Sequence, residues 1–513
     1  VVGVQGLRRP TLASVLTAEL IGVAAGCLVA AVASSVVAVT VGVLVAVALV
    51  VPIRRQSLLG RLSTAIGYAR ASNLALPVPT DFNGMAASWS GLKCAAVVSI
   101  VPKTRLTVLS RRGAVPGEQL PLEALAAALH QHDITLAGID IVSHARRIHT
   151  RPASVLRQLI GPLPAVPDRA VWIVVRLDAR SEAVERRGGG RDGAVSTLRT
   201  ATSRIVDVLA RHDVDARILS ADEITAVSQA VAGGDVRNGW SSVAIGDQND
   251  SGFSATELTP ALIDQVWTIS TQATTTMLAL RPQEAAGRVA AALSWRLTGA
   301  DKTPALPARR VDGHQLQHLR AHLPLASNGD AALVFHDVPT AELSSFAVAT
   351  GGCGQLVGAT SDGRAIAVPL CASSTRTATL VGSSMFLRQT IFRGVATGAR
   401  IVVRTDRPDM WEPLVHAVGN RSQLCVAGLG EPTPVGYDVL VADGDLQPGA
   451  PGITTIFAAA TPAAFTGIAP DLSITATGAS IMVTVGGQSI AVELVTVPAE
   501  QEFIVGSSAV RTS

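Results

Sequence analysis

Between Thr11 and Val51 the chain carries a single charge, Glu19, and apolar residues occupy every helical face instead of one stripe. As helix the run would rise about 60 Å, twice the ~30 Å hydrocarbon core of a bilayer. Two spans fit that length, Leu12 to Ala33 and Val36 to Val51, with Ala33-Ser34-Ser35 as the break. Arg8-Arg9-Pro10 precedes the run and Pro52-Ile53-Arg54-Arg55 follows it. In a hairpin both clusters flank one side, which the positive-inside rule makes the cytoplasm, so the rest of the chain is expected there. A signal peptide ending at Ala31-Val32-Ala33 competes, but a second apolar run continues past it. A single tilted span with a partly buried remainder competes as well, and so does a buried helical hairpin of a soluble protein.

Within the first span Ala18, Gly22, Gly26 and Ala30 recur every four residues, so one helix face is small enough for another backbone to approach closely. The expectation is membrane helix packing on a neighbour through that face. Glu19 belongs to the same candidate set: an ionised side chain at mid-membrane costs on the order of 3 kcal/mol, which calls for a protein or water contact. Beyond the second span Leu58, Leu62 and Ile66 share a helical face, and Arg54, Arg55 and Arg61 suit contact with anionic lipid head groups.

The pattern then changes to alternating strands and helices. Apolar residues cluster as strands over 92–110 and 134–143, with a helix over Pro121 to His130, and Val171 to Asp178 is a further strand. A long helix is predicted from about Ala194 to Arg211, and Trp240 to Ala308 gives another strand and helix set. Such alternation argues for α/β structure. From about Ala331 a hairpin turns at Ser361-Asp362-Gly363. A βαβ unit then runs from Thr377 through a helix, Met385 to Thr397, to Arg404; strands follow at Tyr437 to Ala442 and Ile453 to Ala459, and β-rich alternation over 472–505. The expected fold class is a membrane-anchored α/β protein: a two-helix transmembrane hairpin, then cytosolic α/β domains with a β-rich C-terminal end. The expected division is a tail over 1–10, the hairpin over 11–53, a juxtamembrane helix and linker over 54–90, an α/β domain over 91–326 and a C-terminal domain over 327–513.

Composition narrows the function class. The chain has 513 residues, 48% hydrophobic and only 16% charged, and a net charge of +3 leaves no whole-protein footprint for nucleic acid. Its five cysteines are far apart with no CxxC pair, so neither a disulfide framework nor a zinc knuckle is implied.

Three stretches carry a specific likeness: His130-Gln131-His132-Asp133-Ile134 through Gly138-Ile139-Asp140-Ile141-Val142-Ser143-His144; Val171-Trp172-Ile173-Val174-Val175-Arg176-Leu177-Asp178; and Arg186-Arg187-Gly188-Gly189-Gly190. Together with the double span and its basic exit they resemble EccE, a membrane component of the mycobacterial type VII (ESX) secretion systems. The resemblance covers residues 10 to about 326 best. It implies a non-enzymatic structural subunit of the cell inner membrane, multi-pass and assembled with EccB, EccC and EccD. In that family EccC carries the ATPase motor; the complex exports small helical proteins.

Enzyme motifs fall short on their own terms. Gly188, Gly190 and Gly193 satisfy GxGxxG, but about ten residues separate them from the strand end at Asp178, where a dinucleotide needs a tight turn. Gly382-Ser383-Ser384 sits where a phosphate loop would open its helix but lacks the second Gly and the Lys-Ser/Thr pair. Asp443 and Asp445 after an apolar strand are the residues on which a membrane-tethered enzyme of nucleotide or sugar-nucleotide chemistry would rest, as hard oxygen ligands for a divalent cation. A solvated acidic turn is the plainer reading. His314, His318 and His322 lie four apart without the Glu of HExxH, and Cys353 lacks a catalytic neighbourhood. No cofactor, metal or catalytic residue is expected.

Overall fold

The computed structural model describes residues 12–505 apart from 33, 51, 54, 55, 71–75, 83, 112, 149, 162, 301–304, 328, 433, 445 and 466. The tail expected over 1–10 and the residues Arg54, Arg55 and Asp445 therefore lie outside the described residues.

Helices α1 (Leu12–Ala30) and α2 (Ser35–Val50) fold back on one another. A Cβ at Gly22 would meet Gly42 O at 2.6 Å and Ala46 Cβ at 2.9 Å, and one at Gly26 would meet Ala38 O at 3.0 Å. These falling partner numbers make the pair antiparallel, with glycine needed at the closest approach. The outward faces stay apolar: Leu20, Leu28 and Val36 are each about three-quarters exposed. Among the described residues no helix is long and apolar enough to cross a membrane. With 19 and 16 residues, α1 and α2 rise about 28 and 24 Å, both under the ~30 Å core. The expected spans thus become a shorter hairpin. Pro52–Ile53 pairs with Gln56–Ser57, and α3 (Leu58–Arg70) follows.

The chain next lays down β1 (Lys93–Val101), a small hairpin of β2 (Thr107–Ser110) and β3 (Gly113–Val115), β4 (Gly138–Arg146), α4 (Arg151–Ile160), β5 (Ala170–Asp178) and α5 (Gly190–Arg211). After these come β6 (Gln248–Ala255), β7 (Ala273–Pro282), β8 (Arg288–Thr298) and α6 (Gln315–Ala321). The central strands of the first sheet stand in the order β6-β8-β7-β4-β5-β1, and every pairing is antiparallel. Both faces are covered. Ile139, Ile141, Ile173 and Val175 face a core shared with Leu198, Ile205 and Leu209 of α5, while Val142, Val174 and Val97 face one shared with Ile224, Val231 and Leu323. Burial on two sides explains why these strands read as unbroken apolar runs. Helix and strand alternate along the sequence, yet the sheet has none of the parallel pairing that a βαβ reading would give. The sheet also reaches beyond 91–326: Thr80–Asp81 and Ala86–Ser90 extend it at one end, and His336–Pro339 pairs with β8.

The second sheet contains β9 (Gln355–Ala359), β10 (Ala365–Val368), β11 (Thr377–Val381), β12 (Ile401–Thr405), β13 (Leu424–Ala427), β14 (Val439–Asp443), β15 (Thr454–Ala459), β16 (Leu472–Thr477), β17 (Ser480–Val485) and β18 (Gln488–Glu493). Its order is β13-β12-β14-β15-β11-β16-β17-β18-β9-β10-β2-β3. The half from β13 to β16 is parallel and the half from β16 onward antiparallel. Helices α7 (Ser384–Thr397), α8 (Pro408–Val418) and α9 (Pro498–Val505) contribute Ile391, Val395, Trp411 and Phe503 to its core.

The two units interlock. β2 and β3 come from the sequence of the first unit but complete the second sheet, with Val108 opposite Ile366. Asp264 of the first unit accepts a hydrogen bond from Ala114 N at 3.1 Å, holding that hairpin from behind. Val155 of α4 lies in the second core.

Candidate functional site

The carboxyl ends of parallel strands are where open α/β sheets bind ligands, which makes the loops after β11 and β14 the candidate positions. After β11, Ser383 caps α7 by accepting from Phe386 N at 3.3 Å. The Phe386 ring then lies over Gly382: a Cβ there would be 2.7 Å from Phe386 Cδ1. An aromatic ring thus fills the space where a phosphate loop leaves room for its anion. After β14, Asp443 is wholly buried and accepts from Thr405 Oγ1 at 2.8 Å, Trp411 Nε1 at 2.9 Å and the Arg407 guanidinium. Its oxygens are committed to protein donors rather than turned to a cation. Asp445 lies outside the described residues, and among those described no cluster of His, Cys, Asp and Glu suited to a metal is found.

The remaining motifs resolve into packing. Gly188, Gly189 and Gly190 all take left-handed φ in the elbow between the short helix Glu182–Glu185 and α5, and Gly193 packs on Val184 O. Strand β5 is separated from this elbow by that short helix, so no pyrophosphate turn is formed. His314 stands at the start of α6, with Nε2 3.1 Å from Thr64 Oγ1 of α3. His318 and His322 are buried with ring centroids 4.3 Å apart. Burial drives both imidazoles toward the neutral form, His322 down to about 4. Cys353 is buried too, and burial raises its thiol to about 11, the reverse of an activated nucleophile.

In the hairpin, Ala18 and Gly22 are buried against α2, Gly26 is half-buried there, and Ala30 is exposed. The close-packing face expected to meet a neighbour is occupied, over Gly22 and Gly26, by the chain's own α2. Glu19 is exposed, turned away from that seam among Leu16, Leu20 and Val23. Arg61 is exposed on α3, as are Leu58, Leu62 and Ile66.

What sequence reasoning missed is a set of enclosed ion pairs. Asp140 on β4 is fully buried and pairs with Arg176 of β5 and, at 2.6 Å, with Arg281 of β7; Arg281 also holds Asp330 at 2.7 Å. Arg176 donates to Ser327 O at 2.6 Å, so the network fastens the segment leaving the first sheet. A second pair, Asp250 and Arg296, is at 2.8 Å, and a third, Arg393 and Glu500 at 2.7 Å, fixes α9 on α7. The signal that could have found them was a lone charge inside an apolar strand, Ile139-Asp140-Ile141 and Val175-Arg176-Leu177. Both belong to the stretches that carry the family likeness.

These features define a mixed α/β scaffold whose would-be nucleotide positions are filled by its own side chains. Residues 165–255, from just before β5 through β6, match the family model for EccE, a putative type VII ESX secretion system translocon. The chain is 26% identical over 330 residues to the ESX-1 secretion system protein EccE1 of Mycolicibacterium smegmatis, covering 62% of this chain and 64% of that protein. It is 28% identical over 228 residues to the ESX-5 secretion system protein EccE5 of Mycobacterium marinum, covering 40% and 56%. To EccE1 of Mycobacterium tuberculosis it is 30% identical over 262 residues, covering 48% and 54%. The matches thus span between about half and two thirds of these curated relatives. Over these stretches the chain is similar to the EccE proteins of mycobacterial type VII secretion systems.

Proposed function

We propose that the chain is a non-enzymatic structural subunit of a type VII secretion complex in the inner membrane, working with EccB, EccC and EccD in the export of small helical proteins. The α1–α2 hairpin is its multi-pass anchor, with most of the chain in the cytoplasm. The observation that carries the reading is the family match joined to the closed carboxyl ends of β11 and β14: Phe386 covers one and Arg407, Thr405 and Trp411 engage the other. The enzyme alternative needs Asp443 free to hold a cation. The apolar outer faces of the hairpin support lipid contact, since exposed Leu and Val on every side would be costly in water. Arg61, with Arg54 and Arg55 in sequence, suits head-group contact.

Glu19 is the residue we assign to a protein contact. It sits on the outer face of α1, so α2 does not satisfy it, and a donor from another subunit's membrane helix would remove the cost of leaving it in lipid. The test is co-purification of the tagged full-length chain from detergent-solubilised membranes. Wild type should bring down the complex, and Glu19→Leu should lower the yield of partners several-fold while the variant stays in the membrane fraction. Asp443→Asn, which keeps an acceptor for Thr405 and Trp411, should leave assembly and secretion unchanged. Secretion abolished by Asp443→Asn with assembly intact would favour the enzyme.

A further inference from the structure

Helix α3 meets the folded unit through Thr64 and Tyr68. Tyr68 meets the ring of Trp240 edge-on with centroids 5.3 Å apart, and Thr64 Oγ1 lies 3.1 Å from His314 Nε2. Between those contacts Gly313 provides the gap: a Cβ there would collide with Thr64 Cγ2 and come within 3.0 Å of Trp240. At 100° per residue Thr64 and Tyr68 lie on one side of α3, while Leu58, Leu62 and Ile66 lie on the other. The folded unit therefore fixes the rotation of α3 and leaves its leucine stripe outward, with Leu62 51% exposed. Trp240, 45% exposed, stands beside this helix, whereas Trp172, Trp267, Trp295 and Trp411 are buried. An apolar stripe facing outward from a helix whose opposite side is docked on the folded unit is the arrangement of an interfacial helix.

We infer that α3 lies in the head-group region of the bilayer with Leu58, Leu62 and Ile66 toward the acyl chains, and that the end of the first sheet carrying Trp240, Gly313 and His314 is the side of the folded unit that rests on the membrane. The inference depends on the α1–α2 hairpin being inserted. Lipid is the occupant because the stripe begins only eight residues after α2 ends, which keeps it at the depth where the hairpin leaves the bilayer. The clamp gives the assembly a fixed attitude: the first sheet cannot swing about a loose tether while α3 is docked on it.

The full-length protein, with Cys27→Ser removing the exposed cysteine of α1, is reconstituted into vesicles of phosphatidylcholine and phosphatidylglycerol and labelled with nitroxide through Leu62→Cys or, as control, Val78→Cys. Position 62 should be relaxed strongly by oxygen and weakly by a water-soluble nickel chelate, and position 78 the reverse. Equal nickel access at both positions in protein that resists carbonate extraction would overturn the inference while sparing the hairpin. Extraction by carbonate would overturn both. Shielding of position 62 only when partner subunits are added would overturn it in favour of a protein docking face.

Discussion

His318 and His322 are enclosed beside the Asp250–Arg296 pair, and both desolvation and the Arg296 charge oppose their protonation. His322 titrates near 4 in the folded chain against about 6.5 when unfolded. Between those values the unfolded chain binds a proton that the native chain refuses, so stability is full above pH 6.5 and is lost as the pH falls toward 4. For His322 the loss is up to about 3 kcal/mol. Urea denaturation at intervals across that window should show the decline, and His322→Asn should make it shallower, with His318 still contributing. The sequence displayed these histidines at four-residue spacing but not what surrounds them. The same limit applied at Asp443: its place at the end of an apolar strand was legible, whereas the three donors that occupy it come from residues 405, 407 and 411, brought close by the parallel register of β12 and β14.

Elements were more readable than their pairings. The βαβ unit at Thr377 to Arg404 and the strand ending at Asp178 fall where the apolar pattern puts them, because local periodicity and the turn residues agree there. The stretch over 92–110 divides after Val101, and its halves join different sheets, since strand partners are chosen by residues far along the chain. At the hairpin the small-residue spacing was visible, but whether α2 or a neighbour used it depended on the return path. Gly22→Leu should splay α1 from α2, because the new side chain meets backbone at Gly42 O rather than a movable group. Disulfide crosslinking through Ala25→Cys and Val41→Cys, both half-buried positions of the hairpin, should fall sharply in that variant relative to wild-type glycine, with Cys27→Ser in both backgrounds.

At the scale of the molecule, composition and the apolar N-terminal run pointed to an anchored α/β chain, but the two units are not successive blocks. β2 and β3 close the far end of the second sheet, so a fragment of residues 331–513 would expose the edge of β10 with its unpaired backbone groups. Expressed alone, that fragment should aggregate or fail to give a cooperative unfolding transition by circular dichroism. Co-expression with the remaining residues should restore soluble material. The crossing also bears on synthesis. A ribosome delivers Val108 roughly 250 residues ahead of Ile366, and a contact so distant in sequence forms slowly. Until about seven-tenths of the chain has been made, two β-prone segments wait without β10, and whatever shelters them in that interval, a chaperone or the lipid surface beside the emerging polypeptide, bears on the yield of mature protein.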